Sequence, residues 1–284
     1  MPDSDSAGGL RGLIDRRANN YSLEDTGERF QQLLVWASKP VLDLYFRMEI
    51  KGWERLPDAP ALLIGVHASG LLPVEAYLTG FQWYRHFGKR RALHGTAHDV
   101  LMSLPGWGLF LRKIGTVPAT RSAITEALEA GHDVILWPGG DVDALRPWTK
   151  RDQAILDDRT GFIKLAIRQG VPIVPVASIG GSDTLFMLTE GRSIASFLKL
   201  DKLLRTKAFP IAFGFPFGLA PGVVPQIPLP AKIRTEFLNP IEMGDDPALA
   251  EDKDYVQGKY DEVVGSLQEA MTLLAGHRSF PLLG

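Results

Sequence analysis

The sequence predicts an α/β protein. Short apolar runs that read as buried strands alternate with segments of helical period. Residues 61–66 (ALLIGV), 133–137 (DVILW) and 171–178 (VPIVPVAS) are such runs, and helical stretches beginning near Pro73 and Arg121 separate them. Gly131 and Gly170 stand where helices should stop. The chain has 284 residues, 45% of them hydrophobic and 23% charged, enough to bury a full core.

Residues 1–20 read as a loose polar leader. From about 23 to 46, Phe30, Leu33, Leu34, Ala37, Val41, Leu42 and Tyr45 share one broad helical face, and Pro40 predicts a kink in it. Residues 48–53 suit a short strand. The run 61–66 reads as a buried strand ending in the turn His67-Ala68-Ser69-Gly70. Pro73 fits the first turn of a helix reaching about residue 87, where its missing N–H costs nothing. Residues 92–97 form a strand. Residues 99–112 form a helix interrupted at Pro105-Gly106, 115–118 a short extended piece, and 121–130 a helix. After the strand at 133–137, residues 138–159 read as a long polar loop, followed by a helix at 160–169. Pro172 and Pro175 then place the strand 171–178 at a sheet edge or make it irregular, because proline donates nothing to a ladder. Strands at 211–215 and 233–237 and a helix at 255–274 complete the chain. No repeat or linker is visible. Residues 46–284 read as a single domain, preceded by a leader and amphipathic helix over 1–45.

Composition removes several function classes. Lys and Arg total 31 against 33 Asp and Glu, and a net charge of −2 gives a nucleic-acid partner no support. With no cysteine, disulfides, thiol catalysis and Cys-based metal sites are excluded. His86, His94, His98, His132 and His277 have no metal-ligand spacing with carboxylates. No Gly-x-Gly-x-x-Gly follows a strand. The first residues are polar and include Asp3 and Asp5, unlike a signal peptide. The uncharged stretch 208–231 is long enough to span a bilayer. Its six prolines, from Pro210 to Pro230, forbid a continuous helix there, so no transmembrane segment is expected.

Four segments can carry chemistry. His67 follows the end of an apolar strand, where α/β sheets bind ligands, and Glu75 comes eight residues later near a helix start. A histidine there can act as general base, with a carboxylate fixing its tautomer; a turn histidine beside an unrelated surface Glu is the plainer reading. In Gly115-Thr116-Val117-Pro118-Ala119-Thr120-Arg121, the arginine leads into a helix and can grip an anionic group, or simply be solvated. Pro138-Gly139-Gly140-Asp141-Val142-Asp143 offers a backbone that a ligand can approach closely, or a tight turn. Pro172-Ile173-Val174-Pro175 is chemically only a strand with two prolines.

Taken in order, these segments resemble the four blocks of the glycerolipid acyltransferase superfamily: His-x4-Asp, Gly…Arg, Pro-Glu-Gly or Pro-Gly-Gly, and Pro-Ile-Val-Pro. The matching residues are His67, then Gly115 with Arg121, then Pro138-Gly139-Gly140, then Pro172 to Pro175. The approach Ile50-Lys51-Gly52-Trp53-Glu54-Arg55-Leu56-Pro57 is similar too, and the resemblance covers roughly residues 45–240. It implies a mixed, largely parallel sheet flanked by helices, with an N-terminal helical appendage. Two departures stand out. Leu72 occupies the place of the first block's Asp, and likeness to wider-spaced members transfers its orienting role to Glu75. Gly139 occupies the third block's Glu position and Val142 its Arg position; with Asp143, this form resembles the diacylglycerol and monoacylglycerol acyltransferase branch.

The resemblance implies direct acyl transfer to a lipid hydroxyl from acyl-CoA, or from acyl carrier protein, with no metal or other cofactor. His67 would deprotonate the hydroxyl and Glu75 would orient the imidazole. Ser69, Gly70, Pro138, Gly139, Gly140 and Asp143 would line the substrate site, and backbone N–H groups at Ser69-Gly70 or Gly139-Gly140 would meet the oxyanion. Arg121 would bind a phosphate. A phosphorylated acceptor would face Asp141 and Asp143, a repulsion of about 1 kcal/mol or more. A neutral acceptor is therefore expected: a mono- or diacylglycerol or a long-chain alcohol. Arg146, Lys150 and Arg151 follow closely enough to compensate, which keeps a lysophospholipid as the alternative.

Such substrates imply a cytoplasmic protein held peripherally on a membrane. Residues 23–46 are one candidate contact, with Trp36, Tyr45 and Phe46; residues 198–231 are the other, with Lys199, Lys202, Arg205 and Lys207 among leucines. Both can equally pack onto the protein's own core. Two rivals belong to other classes. A serine lipid hydrolase would use Ser182 of Gly180-Gly181-Ser182-Asp183, although no Gly-x-Ser-x-Gly surrounds it. A non-catalytic lipid-binding protein would follow if the broken His-x4-Asp block means lost catalysis.

Overall fold

The computed structural model describes residues 9–24, 27–67, 73–191, 210–222, 224, 226–278 and 280. Its strands in chain order are β1 (Glu49–Lys51), β2 (Leu62–Gly65), β3 (Leu93–Ala97), β4 (Val117–Pro118), β5 (Asp133–Leu136), β6 (Ile173–Ile179), β7 (Phe186–Thr189), β8 (Ile211–Gly214), β9 (Gly218–Pro221) and β10 (Arg234–Phe237). Its helices are α1 (Leu10–Ala18), α2 (Glu28–Pro40), α3 (Val74–Phe87), α4 (Asp99–Ser103), α5 (Trp107–Lys113), α6 (Arg121–Glu129), α7 (Gly140–Ala144), α8 (Gly161–Gln169) and α9 (Lys253–Gly276).

A seven-stranded sheet in the order β1-β10-β6-β2-β5-β3-β4 forms the centre. From β6 to β4 the neighbours are parallel. β10 runs antiparallel to β6, and β1 parallel to β10. This is the mixed, largely parallel sheet flanked by helices that the sequence implied. β2 shows why its run is continuously apolar: Leu62 and Ile64 pack with residues of α6, α8 and α9, while Leu63 packs on the other face near Trp83 of α3. A strand covered on both faces has no polar side to alternate with.

Four local expectations are corrected. The leader contains α1, whose Ala18 packs with Met102 and Leu111. The stretch 138–159 is not all loop: it holds α7 and a 3-10 turn at Trp148–Lys150. A separate antiparallel sheet, β7-β8-β9, was not foreseen in full; only β8 was. And β6 lies inside the sheet, not at its edge. The Pro175 carbonyl accepts from Leu238 N–H at 2.9 Å, just past the end of β10. A residue's N–H and C=O point to the same side, so the missing donor falls beside Leu238, past the last residue of β10, while Pro175 still accepts there. The kink predicted at Pro40 takes the form of a π turn at Val41–Tyr45, closed by Phe46 N–H on the Val41 carbonyl at 2.9 Å.

The parallel strands end along one edge of the sheet. His67 follows β2, residues 137–140 follow β5, Arg121 follows β4, and Gly181–Asp183 follows β6. Four separate stretches of sequence therefore meet along that edge.

Candidate active site

His67 lies two residues beyond the end of β2, and the next segment, 68–72, lies outside the described residues. That segment leads to α3, whose Glu75 stands in the first turn, where the helix dipole favours a carboxylate. The two side chains meet: His67 Nδ1 is 3.1 Å from Glu75 Oε1. Glu75 is 2% exposed and the His67 side chain 17%, so the carboxylate is enclosed and the imidazole reaches the surface. With a carboxylate accepting from Nδ1–H, the lone pair falls on Nε2.

Two further groups hold this histidine. The Trp137 ring stacks on the imidazole, centroids 5.2 Å apart and planes inclined by 12°. Asp143, fully buried, accepts the main-chain N–H of His67 through Oδ2, and its Oδ1 pairs with Nη1 of Arg146, itself 2% exposed. Arg146 is anchored at 3.0 Å to the carbonyl of Arg151. Burial pushes the Asp143 carboxyl up to about 7, against the opposing pull of Arg146 and His67.

The Pro-Gly-Gly segment is shaped by this packing. A side chain at Gly139 would run into Cβ of Asp143 and the carbonyl of Ile155. The Pro138 carbonyl accepts from Arg159 at 3.2 Å, and Gly140 N–H donates to the Trp137 carbonyl at 3.3 Å.

The remaining sequence candidates are placed as follows. Ser69 and Gly70 lie outside the described residues, as do Lys199, Lys202, Arg205 and Lys207. Arg121 is exposed at the first turn of α6, whose N-terminus is capped by the Thr120 hydroxyl at 3.3 Å. It shares the edge with His67 but follows β4, three strand spacings or about 14 Å across the sheet from β2. Ser182 is buried in the turn after β6, and no hydrogen bond joins it to a histidine among the described residues. Its neighbour Asp183 accepts from Trp148 at 2.7 Å and from Arg278 at 2.5 Å. Among the described residues, no group of three His, Asp or Glu is placed to hold a metal ion.

Asp143 and Arg146 face each other within the core, and both are enclosed rather than open to solvent. Trp137 and Arg146 were missed as site residues. The signals were an aromatic ending the strand before Pro-Gly-Gly, and a cation three positions after an acid within a helical turn.

Residues 47–179 match the family model described as Acyltransferase. An uncharacterised protein of Mycobacterium bovis is 29% identical over 276 residues, which cover 94% of this chain and 74% of that one. The "DGAT1/2-independent enzyme synthesizing storage lipids" of Gallus gallus is 29% identical over 80% of this chain and 67% of its own. "Phytyl ester synthase 1, chloroplastic" of Arabidopsis thaliana is 25% identical over 81% of this chain and 34% of its own. The crystal structure of the 1-acyl-sn-glycerophosphate (LPA) acyltransferase PlsC from Thermotoga maritima superposes with a TM-score of 0.53 at 15% identity, covering 95% of this chain and 90% of that one. That likeness is one of fold.

Proposed function

We propose, from the premise that residues 47–179 form an Acyltransferase-family domain, that this protein moves a fatty acyl group from a thioester, acyl-CoA or acyl carrier protein, to a lipid hydroxyl. The observation that carries the reading is the His67–Glu75 contact at the carboxyl edge of the sheet. Nε2 of His67 takes the hydroxyl proton while the acceptor oxygen attacks the thioester carbon. The tetrahedral intermediate collapses, the C–S bond breaks, and the thiolate leaves with the proton returned from the imidazolium. Glu75 stabilises the charged ring between the two transfers. Backbone N–H groups at Gly139-Gly140 or Ser69-Gly70 meet the oxyanion. Arg121 binds a phosphate of the donor at the far end of the same edge.

The acceptor we propose is neutral: mono- or diacylglycerol or a long-chain alcohol. The family's phosphate-holding arginine position is Val142, and the buried Arg146 cannot substitute for it. Two relatives named for storage-lipid and ester synthesis favour the same class.

We further propose peripheral membrane docking. No helix among the described residues is long and apolar enough to cross a membrane. Phe213 and Leu219, paired across β8 and β9, and Phe215 and Phe217 in the turn between those strands are exposed, and the segment 210–231 carries no charge. Tyr45 ties α2's exposed end, with Trp36 74% exposed, to the same region through its hydroxyl on the Pro228 carbonyl at 2.7 Å. Such a surface suits lipid better than water.

The test is transfer of label from long-chain acyl-CoA to monoacylglycerol, diacylglycerol, fatty alcohol and lysophosphatidate, with wild type and His67→Ala. Label reaching a neutral acceptor, and lost in the variant, is expected. Label reaching lysophosphatidate alone would keep the reaction and overturn the acceptor. No transfer to any acceptor, or transfer insensitive to His67, would overturn the reaction.

A further inference from the structure

We infer that Asp143 and Arg146 are positioning residues, which set the imidazole of His67 through its main-chain N–H and touch neither substrate. The inference rests on the reading of His67 as the base. β2 ends at Gly65, so the His67 N–H has left the ladder and needs another acceptor. Asp143 supplies it with one oxygen and gives the other to Arg146. Arg146 is fixed at its far end by the Arg151 carbonyl. The histidine backbone is thereby tied to two points in the segment that follows β5.

Substrate binding is a poor account of either residue. Both are enclosed, and each has the other as its partner. Stability alone is a poor account too, because well-packed apolar residues usually replace a buried ion pair without loss. What apolar residues cannot replace is a directional acceptor for the His67 N–H. Gly139 follows from the same geometry: only a residue without a side chain lets Asp143 come close.

The test is a matched pair of double variants that differ in that acceptor alone. Asp143→Leu with Arg146→Met removes both charges and the acceptor. Asp143→Asn with Arg146→Met removes both charges and keeps an amide oxygen facing the His67 N–H. Thermal unfolding establishes folding, and acyl-transfer kinetics give kcat and KM separately. Ring-nitrogen NMR follows the titration of His67.

The Leu/Met protein is expected to fold and to lose about 100-fold in kcat, as a misplaced catalytic group would, with KM within about twofold. The Asn/Met protein is expected to recover most of that loss and to restore the wild-type titration of His67. A folded Leu/Met protein with wild-type kcat overturns the inference. So does a rise in KM at constant kcat, or equal loss in both variants. Should Leu/Met fail to fold, the Asn/Met protein decides by the same measures: retained kcat and titration support the inference, and loss of either in a folded protein overturns it. Should the wild type transfer no acyl group, the proposed reaction fails on its own. The His67 titration then decides positioning: a change in Leu/Met reversed in Asn/Met supports it, and no change overturns it.

Discussion

The indole of Trp137 lies nearly parallel to the imidazole of His67, and Gly65, at the end of β2, makes room for it. A methyl group at Gly65 would stand 2.5 Å from Nε1 of Trp137. The small residue two positions before the histidine and the large one before Pro138 therefore act as a pair. Trp137 covers one face of the ring, limits its rotation, and presents an electron-rich surface to its charged form.

Gly65→Ala is accordingly expected to displace the indole. Stability should fall by about 1–3 kcal/mol, the usual effect of overpacking, and kcat should fall about tenfold. Thermal unfolding and steady-state kinetics check both numbers. A Gly65→Ala protein with wild-type kcat would show that the stack plays no part in turnover.

Glu75→Gln replaces the carboxylate beside Nδ1 with an amide of the same shape. An amide neither stabilises the imidazolium nor selects the tautomer that leaves Nε2 unprotonated. We expect kcat to fall by about 100-fold, with substrate KM little changed. Initial rates over a range of both substrates provide the check; a loss confined to KM would place Glu75 among binding groups instead.

Asp143 gives a pH dependence of stability with a definite sign. Its carboxyl titrates at 3.8 in the unfolded chain and at about 7 in the folded protein, because burial disfavours the anion. Between these values the folded protein keeps a proton that the unfolded chain has released. The contribution is full below pH 4 and is lost as pH rises through 7. Unfolding free energy measured from pH 4 to 8 should fall more steeply in wild type than in the Asp143→Asn, Arg146→Met protein. Equal slopes would count against the buried titration.

Phe215→Ser with Phe217→Ser tests the docking surface, since both side chains are exposed in the turn between β8 and β9. Removing two aromatics that would enter lipid should weaken partition by about 3 kcal/mol, or about 100-fold. Sedimentation with phosphatidylcholine and phosphatidylglycerol vesicles measures it. Transfer between short-chain soluble substrates should be unaffected. Unchanged sedimentation would remove this face from the membrane reading.

The middle of the central sheet was legible because β2, β5 and β6 are buried, so their apolar runs stand out between turn residues. The order of the strands in the sheet is not written in those runs. The small sheet was harder. β7 and β9 are four residues each and carry no alternation of polar and apolar residues, so periodicity had little to find. Pro175 misled because a sequence does not say on which side of a strand a missing donor falls. At the site, His67 and Glu75 were readable as a spacing. The part played by Asp143 was not, because it acts on a main-chain N–H, which every residue but proline possesses and no motif marks. Arg146 was seen as a free cation because burial is invisible in a list of residues.

The pairing of β1 with β10 matters for how the protein is made. Glu49 sits opposite Arg234, so β1 is completed by a strand made some 185 residues later. The contact closes most of the chain into a loop, and such distant pairings form late and slowly. On the ribosome β1, with its own Ile50 and the adjacent Met48, must wait until β10 has emerged. Until then its unpaired edge is open to aggregation.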